Sequence, residues 1–173
     1  MLPETLATAD PTRVRTVSWS DPLASFQSGS KLSGLDWLRA IINGDIAPPP
    51  FAELMGMTLA SVEPGIAVFA AVPGEYLYNP LGVVHGALAM TLLDSATGCA
   101  IHTTLPAGIG YTTVETKVNF VRPITAGTGR IICEGKVIHR GETIATADGR
   151  VVAEAGGKLL AHGTTTCLIL RKL

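Results

Sequence analysis

The chain has 173 residues, 47% of them hydrophobic, which is enough for one well-buried domain and scarcely enough for two. Its 13 basic and 14 acidic residues leave a formal net charge of -1, and the basic residues are scattered, so nucleic acid and anionic membrane surfaces are excluded as expected partners. Cys99, Cys133 and Cys167 lie inside apolar segments without metal-ligand spacing, which favours inert core thiols, a reducing compartment and no metal site.

The beginning of the sequence lacks the basic stretch and apolar core of a secretory signal. The longest apolar segment is interrupted by a carboxylate and several hydroxyls, which is not typical of a membrane span. We therefore expect a soluble, cytoplasmic chain whose partners are small molecules or further copies of itself.

The first 50 residues carry one clear helix signal. Residues 1–30 are polar and aperiodic, which is typical of a mobile or loosely docked leader. Ser33-Gly-Leu-Asp36 resembles a capping box, an apolar stripe follows it, and Asn43-Gly44 is a helix stop. We predict an N-terminal extension over residues 1–50 with one short amphipathic helix, followed by the main domain over residues 51–173.

Beyond the extension, the pattern predicts strands around a single helix. Two strands joined by a tight turn precede the helix, and four strands in antiparallel order follow it, the last three as a meander. This order indicates an α+β fold. The predicted strands are residues 57–62, 66–72, 111–122, 130–138, 142–152 and 158–170.

Two of these strands carry further information. Val114, Val118 and Phe120 alternate with polar residues, which predicts one buried face. Small residues in the strand over 142–152 would let a sheet curve closely around a helix. These small residues are Ala145, Ala147 and Gly149.

The central helix, predicted over residues 86–101, is apolar on every side, as in a helix buried inside a domain. Asp94 is its only ionisable residue, and desolvation should raise the pKa of that carboxyl into a range useful for acid-base or nucleophilic work. Gly86 opens the helix, where the first N–H groups have no internal partner, so its N–H could face a ligand oxygen. The same residues also fit a satisfied core carboxylate and a simple tight turn.

Four motifs occur in a familiar order. They are Asn79-x5-His85-Gly86-x7-Asp94, Thr113-Val-Glu-x-Lys-Val-Asn-Phe-x-Arg122-Pro, His139-Arg140-Gly141 and Gly163-Thr-Thr-Thr. Together they resemble the hotdog-fold acyl-CoA thioesterases of the phenylacetic-acid-degradation (PaaI-like) type, over about residues 54–170. The resemblance implies a curved antiparallel sheet of about six strands wrapped around one long central helix, no cofactor, and a homodimer or homotetramer.

The resemblance also implies roles at the central helix. Asp94 would act on the thioester directly as nucleophile, or through a water as general base, while the Gly86 N–H polarises the carbonyl. Asn79 would hydrogen-bond the water or the carbonyl. His85 would hold the loop that presents Gly86.

Further residues would complete the site and bind CoA. Family members contribute a hydroxyl from near the start of the third strand of a second subunit, where Thr113 matches and Thr112 is its neighbour. Arg122 and the Arg140-Gly141 turn match positions that meet the CoA phosphates, for which arginine is suited. Each arginine also fits a solvated surface charge.

Some features depart from the family or leave other functions open. Ala87 stands where a second glycine often follows His-Gly, and the acyl group does not follow from the motifs. A hotdog hydratase or dehydratase is the alternative, although Leu77 and Gly82 stand where that signature has Asp and His. A non-catalytic acyl-CoA sensor is a further alternative, although the first 50 residues do not read as a helix-turn-helix.

Overall fold

A six-stranded antiparallel sheet wraps around one long helix in the computed structural model, which describes residues 12–171. The helices are α1 (Pro22–Gly29), α2 (Gly34–Asn43), α3 (Pro50–Met55) and α4 (Ala87–His102), the long central one. The strands are β1 (Met57–Glu63), β2 (Ile66–Ala71), β3 (Gly110–Phe120), β4 (Ile131–Arg140), β5 (Ile144–Ala153) and β6 (Leu159–Leu170). Their order in the sheet is β1-β2-β4-β5-β6-β3. The predicted α+β class and central helix are confirmed.

The sheet approaches α4 closely because glycines face it. A Cβ added at Gly135 of β4 would lie 2.3 Å from the backbone of Ala96, and one at Gly149 of β5 would lie 2.9 Å from Leu93. Ala145 and Ala147 of β5 are fully buried. The prediction that small residues in β5 permit curvature is confirmed, and the sheet encloses the apolar helix on this side.

The last three strands form the predicted meander, and β3 lies at the far edge of the sheet. Only β4, β5 and β6 form a meander, whereas β3 pairs with β6 at the far edge and β2 pairs directly with β4. The long segment around α4 makes this crossover possible, because the chain passes beneath the sheet before it returns at the edge. Within residues 12–171, the outer edge of β3 has no paired strand.

A bulge in β3 changes which side chains face inward. The register with β6 shifts between Thr113 and Glu115, so one extra residue, Val114, is accommodated there. Val114 is 56% exposed, while Thr116 and Val118 turn toward the interior. The predicted single alternation was therefore wrong at Val114, because a period of two is broken by the bulge.

The N-terminal extension is more ordered than its sequence indicated. Residues 22–29 form α1, capped by Asp21, whose Oδ1 accepts from the Leu23 N–H at 2.9 Å. The helix packs Phe26 edge-on against Trp37, with ring centroids 6.2 Å apart. The prediction of a mobile or loosely docked leader was therefore wrong for this segment. Residues 1–11, which the same prediction included, lie outside the described residues.

Helix α2 confirms the local helix signals. The Ser33 Oγ accepts from the Asp36 N–H at 3.2 Å, and Gly44 ends the helix with a φ of 83°. The apolar stripe packs against β1 and the last turn of α4. The extension is therefore attached to the domain rather than separate from it.

The cysteines behave as core residues. Cys133 and Cys167 are buried and Cys99 is half-buried, and all three are free thiols. Burial raises the pKa of Cys99 and of Cys133 to about 12, so their thiols resist ionisation at neutral pH.

No helix within residues 12–171 is long and apolar enough to cross a membrane.

Candidate active site

The start of α4 is fixed by His85. The Ala87 N–H donates to His85 Nδ1 at 3.0 Å, and the His85 N–H donates to the Leu77 carbonyl at 2.8 Å. The imidazole therefore caps one of the free N–H groups of the helix and ties the preceding loop to residue 77. This contact agrees with a structural function for His85.

Gly86 occupies the N-cap position of α4. Its carbonyl accepts from the Met90 N–H at 3.0 Å, whereas no acceptor for its own N–H is present within residues 12–171. A Cβ added here would lie 3.0 Å from two carbons of the Phe120 ring. The Gly86 N–H thus lies at the positive end of the helix dipole beside an aromatic wall.

Asn79 shapes the loop before the helix. Its Oδ1 accepts from the Leu81 N–H at 2.9 Å and from the Val83 N–H at 3.4 Å. The Asn79 N–H also donates to the Val83 carbonyl at 2.8 Å. In a single chain the carboxamide oxygen is therefore occupied with a turn.

A cavity of about 570 Å³ opens at the start of α4. Its wall includes Gly86, Phe120 and Arg122 and is otherwise mainly apolar. The guanidinium of Arg122 donates to the Leu159 carbonyl at 2.7 Å, which anchors it at the rim while other donors of the fork stay available. The cavity has the size of a small-molecule site.

Asp94 differs from the predicted buried carboxylate. Its side chain is exposed in the single chain, because the residue faces the open side of α4 near the β3 edge. Its Oδ1 accepts from the Thr116 hydroxyl at 3.3 Å. The expectation of a desolvated Asp94 was therefore wrong for one isolated copy of the chain.

Thr116 belongs to a row of hydroxyls that ends at Asp94. The Thr97 hydroxyl donates to Thr165 Oγ1 at 2.7 Å, and Thr165 Oγ1 lies 3.3 Å from Thr116 Oγ1. Thr97 and Thr165 are almost completely buried. This row connects the interior of the domain with the carboxylate.

Gly86 and Asp94 of one chain do not meet. Eight residues separate them on one helix, which corresponds to about 12 Å along the axis. An N–H that binds a carbonyl oxygen and a carboxylate that attacks the same carbonyl must lie much closer than that. The expectation that both groups of one chain act side by side was wrong.

The remaining predicted residues divide between two ends of the sheet. Arg122 lies near the start of α4, whereas Arg140 is the last residue of β4, at the opposite end of the sheet, and Gly141 follows it. Since Arg140 pairs with Ala145 of β5, these ends are separated by most of the length of that strand. One chain therefore does not bring its own Arg122 and Arg140 together.

Thr113 lies on β3 at the level of Cys167, whose Sγ is 3.9 Å from its hydroxyl oxygen. Its neighbour Thr112 is exposed. The hydroxyl that reaches Asp94 within one chain is that of Thr116, which the sequence reasoning missed. The alternation predicted for this strand places position 116 on the same face as Val118, as the structure does, but nothing in the sequence connected Thr116 with Asp94.

Within the described range, no cluster of three or more His, Cys, Asp or Glu residues could hold a metal ion. The candidate site therefore consists of a backbone donor, a carboxylate, hydroxyls and an arginine. Such a set is suited to acyl transfer.

Comparison with known proteins gives a consistent result. A family model described as the thioesterase superfamily matches residues 81–160. Acyl-coenzyme A thioesterase 13 of Homo sapiens is 28% identical over 130 residues, covering 75% of this chain and 91% of that protein. The TT0310 protein of Thermus thermophilus is 30% identical with a TM-score of 0.63, covering 70% of this chain and 97% of that structure.

The fold is also shared with a more distant structure. The E. coli PaaI protein from the phenylacetic acid degradation operon is 21% identical, with a TM-score of 0.69. The likeness covers 82% of this chain and 97% of the PaaI chain.

Proposed function

The chain belongs to the thioesterase superfamily, a group of thioester hydrolases with the hotdog fold, and from this premise we propose that it hydrolyses an acyl-CoA thioester to the free acid and CoA. The observation that carries the proposal is the free Gly86 N–H, which lies at the start of a buried helix and faces a cavity of about 570 Å³. The human relative, which is named as an acyl-coenzyme A thioesterase, supports the same substrate class.

Gly86 would stabilise the developing oxyanion. When the thioester carbonyl is attacked, negative charge moves onto its oxygen, and an N–H at the positive end of a helix stabilises that charge. His85 supports this arrangement because its ring accepts from Ala87 and keeps the first turn in place. Removing one such donor typically costs about 10²–10³ in kcat.

Asp94 would come from a second copy of the chain. Since Gly86 and Asp94 of one chain are about 12 Å apart along α4, a site that uses both requires two chains. Thr116 of the edge strand β3 contacts Asp94, so Asp94 lies close to the open edge of the sheet. If this edge pairs with the same edge of a second copy, the Asp94 regions of the two chains come together. We therefore propose a homodimer, or a homotetramer built from such dimers.

Two chemical roles are open to Asp94. As nucleophile, its carboxylate attacks the carbonyl carbon, the C–S bond breaks, CoA thiolate leaves, and water hydrolyses the resulting anhydride. As general base, it takes a proton from a water that attacks the carbonyl directly. A single turnover in ¹⁸O water can identify the nucleophilic route, because label enters the Asp94 carboxylate only when water attacks the aspartyl carbon of the anhydride.

Other predicted residues would take supporting parts. Arg122, at the rim of the Gly86 cavity, would hold a phosphate of CoA. Arg140 and Gly141 would reach the same CoA only from a partner, since a two-fold pairing of β3 edges runs antiparallel and reverses the ends of the sheet. Asn79 and Thr113 would take part in the same interface.

The proposal is tested with a panel of acyl-CoA thioesters assayed by release of free thiol. We expect the wild type to hydrolyse part of the panel and Asp94→Asn to lose at least about a hundredfold in kcat, because the amide is neither basic nor nucleophilic. Asp148→Asn, a matched change at an exposed carboxylate of β5, should leave turnover unchanged. A panel with no thiol release, or full turnover by Asp94→Asn, would contradict the proposal.

A further inference from the structure

A second cavity, of about 370 Å³, lies between the N-terminal helices and the C-terminal end of α4. A row of aromatic rings lines it: the centroids of Trp37 and His102 are 5.4 Å apart, and those of His102 and Tyr111 are 5.5 Å apart. Phe26 extends the row on the other side of Trp37. The volume exceeds the roughly 150 Å³ of a cavity that holds benzene and is within the range of small-molecule sites.

The cavity is a built part of this chain. Its roof consists of α1 and α2, which precede the matched thioesterase region at residues 81–160. Two glycines allow close contacts: a Cβ at Gly29 of α1 would lie 1.9 Å from the Trp37 ring of α2, and one at Gly34 of α2 would lie 1.8 Å from the carbonyl oxygen of His102 in α4. The N-terminal extension therefore closes this space against the end of α4.

His102 gives the cavity a polar group. The residue is only 8% exposed, and its Nδ1 is fully buried with no hydrogen-bond partner within residues 12–171. Burial lowers the pKa of His102 to about 4, so the imidazole is neutral at pH 7. The other ring nitrogen, Nε2, is not among the buried unpaired atoms, and the residue lines the cavity, so a ligand hydroxyl, which both donates and accepts, could hydrogen-bond Nε2 in either tautomer.

The cavity lies next to the helical turn that follows Asp94. Gly98 lies one turn beyond Asp94 on α4, and the Tyr111 ring packs on it, because a Cβ there would lie 2.8 Å from that ring. Tyr111 also lines the cavity, together with Cys99, the neighbour of Gly98. Burial raises the pKa of Tyr111, which agrees with a ring enclosed between α4 and the cavity.

We propose that this cavity is the acyl pocket of the Asp94 site, and that it takes a medium-length apolar acyl group with a hydroxyl near its far end, hydrogen-bonded to His102. The assignment of the occupant as an acyl group rests on the proposed function. His102 lies eight residues from Asp94, about 12 Å along the helix axis, so a medium-length chain spans the interval. Trp37 and His102 would then determine acyl specificity.

Binding can be tested without catalysis. Of the two tryptophans, Trp19 is 64% exposed, so Trp19→Phe leaves Trp37 as a reporter inside the cavity. The probes are methyl octanoate and methyl 8-hydroxyoctanoate, which carry no CoA. We expect both to change Trp37 fluorescence, with the hydroxy ester binding about tenfold more tightly, as one additional hydrogen bond allows.

Matched variants locate the hydrogen bond. His102→Phe should abolish the difference between the two esters, whereas His162→Phe, at an exposed position of β6, should retain it. If neither ester changed Trp37 fluorescence, the proposal that this cavity binds an acyl group would be overturned. An equal affinity for both esters in the wild type would overturn the part played by His102.

Turnover then tests whether the pocket serves the thioester. Ala47→Phe, which fills the cavity, should lower kcat/KM for octanoyl-CoA at least tenfold and leave acetyl-CoA unaffected. Ala24→Phe on the exposed side of α1 is the control. Ser25→Leu, at the same cavity, is a second filling variant if Ala47→Phe does not fold.

The two proposals fail in different ways. If both substrates lose turnover equally in each folded filling variant, the acyl-pocket assignment is overturned while the thioesterase function stands. If the wild type hydrolyses no acyl-CoA but Trp37 still responds to the esters, the proposed function falls, and with it the acyl assignment. The Trp37 response would then support a ligand site of the same chemistry.

Discussion

Thr116 holds the Asp94 carboxylate in place through a direct side-chain hydrogen bond. Its hydroxyl donates to Asp94 and lies 3.3 Å from that of Thr165, so it orients the carboxylate from the protein side. As a positioning residue it should act on kcat more than on KM. Because the proposed effect of Thr116 depends on its hydroxyl alone, substitutions that remove or keep this hydroxyl can test it.

We predict that Thr116→Val lowers kcat about tenfold with little change in KM, because one hydrogen bond that fixes the carboxylate is lost. Thr116→Ser, which keeps the hydroxyl, should restore most of the turnover. Thr58→Val, at an exposed position of β1 on the other edge of the sheet, should have no effect. Steady-state kinetics on the best acyl-CoA provides the measurement, and wild-type kcat for Thr116→Val would show that Asp94 is held by other contacts.

His102 should make stability depend on pH. Its pKa is lowered by burial from 6.5 to about 4, so the unfolded chain takes up a proton at a higher pH than the folded chain does. The stabilisation is therefore fully present above pH 6.5 and is lost as the pH falls toward 4, by a total of about 3 kcal/mol. Urea unfolding of wild type and His102→Phe across this range should show a steeper decline for the wild type, and parallel curves would contradict the prediction.

The structural elements that the sequence predicted best are those fixed by local contacts. Helix α2 is bounded by Ser33 and Gly44, whose capping depends on neighbouring residues, and the apolar helix α4 was evident from its composition. The bulge at Val114 and the pairing of β3 with β6 depend on distant strands, so alternation alone misplaced Val114. Helix α1 was missed because its main contact, Phe26 on Trp37, is made with the next helix.

The exposure of Asp94 could not be predicted from the sequence for a related reason. A helical wheel shows that its neighbours are apolar, but it does not show which side of the helix the sheet leaves open. In this fold β3 ends the sheet beside Asp94. The motif spacing located the residue, while its environment depends on the strand order and on a second copy of the chain.

At the scale of elements, the contact between β4 and α4 should be the least tolerant of added volume. A Cβ at Gly135 would lie 2.3 Å from the carbonyl carbon and oxygen of Ala96, and neither backbone can move without disturbing the sheet. We predict that Gly135→Ala lowers the free energy of unfolding by about 1–3 kcal/mol or more. Gly127→Ala is the matched control, since its added Cβ would lie 3.6 Å from Thr125; equal stability of both variants by urea unfolding would contradict the argument.

The proposed site needs two chains, and this requirement can be tested by mixing inactive variants. Gly86 has a φ of -56°, which proline also adopts, so Gly86→Pro removes the N–H while keeping the backbone conformation. Gly86→Ala keeps the N–H and meets the same Phe120 ring. It therefore separates loss of the donor from the effect of added volume.

We predict that Gly86→Pro and Asp94→Asn are each nearly inactive and that mixed dimers recover activity. In a mixed dimer one site carries both changes and the other pairs an intact Gly86 with an intact Asp94, so random exchange should restore about a quarter of wild-type turnover. The variants are mixed, partly denatured, refolded, checked for mixed dimers by mass, and assayed for thiol release. A site built within one chain would contain one damaged group in every copy, so mixed dimers without recovered activity would show that Gly86 and Asp94 do not act across the interface.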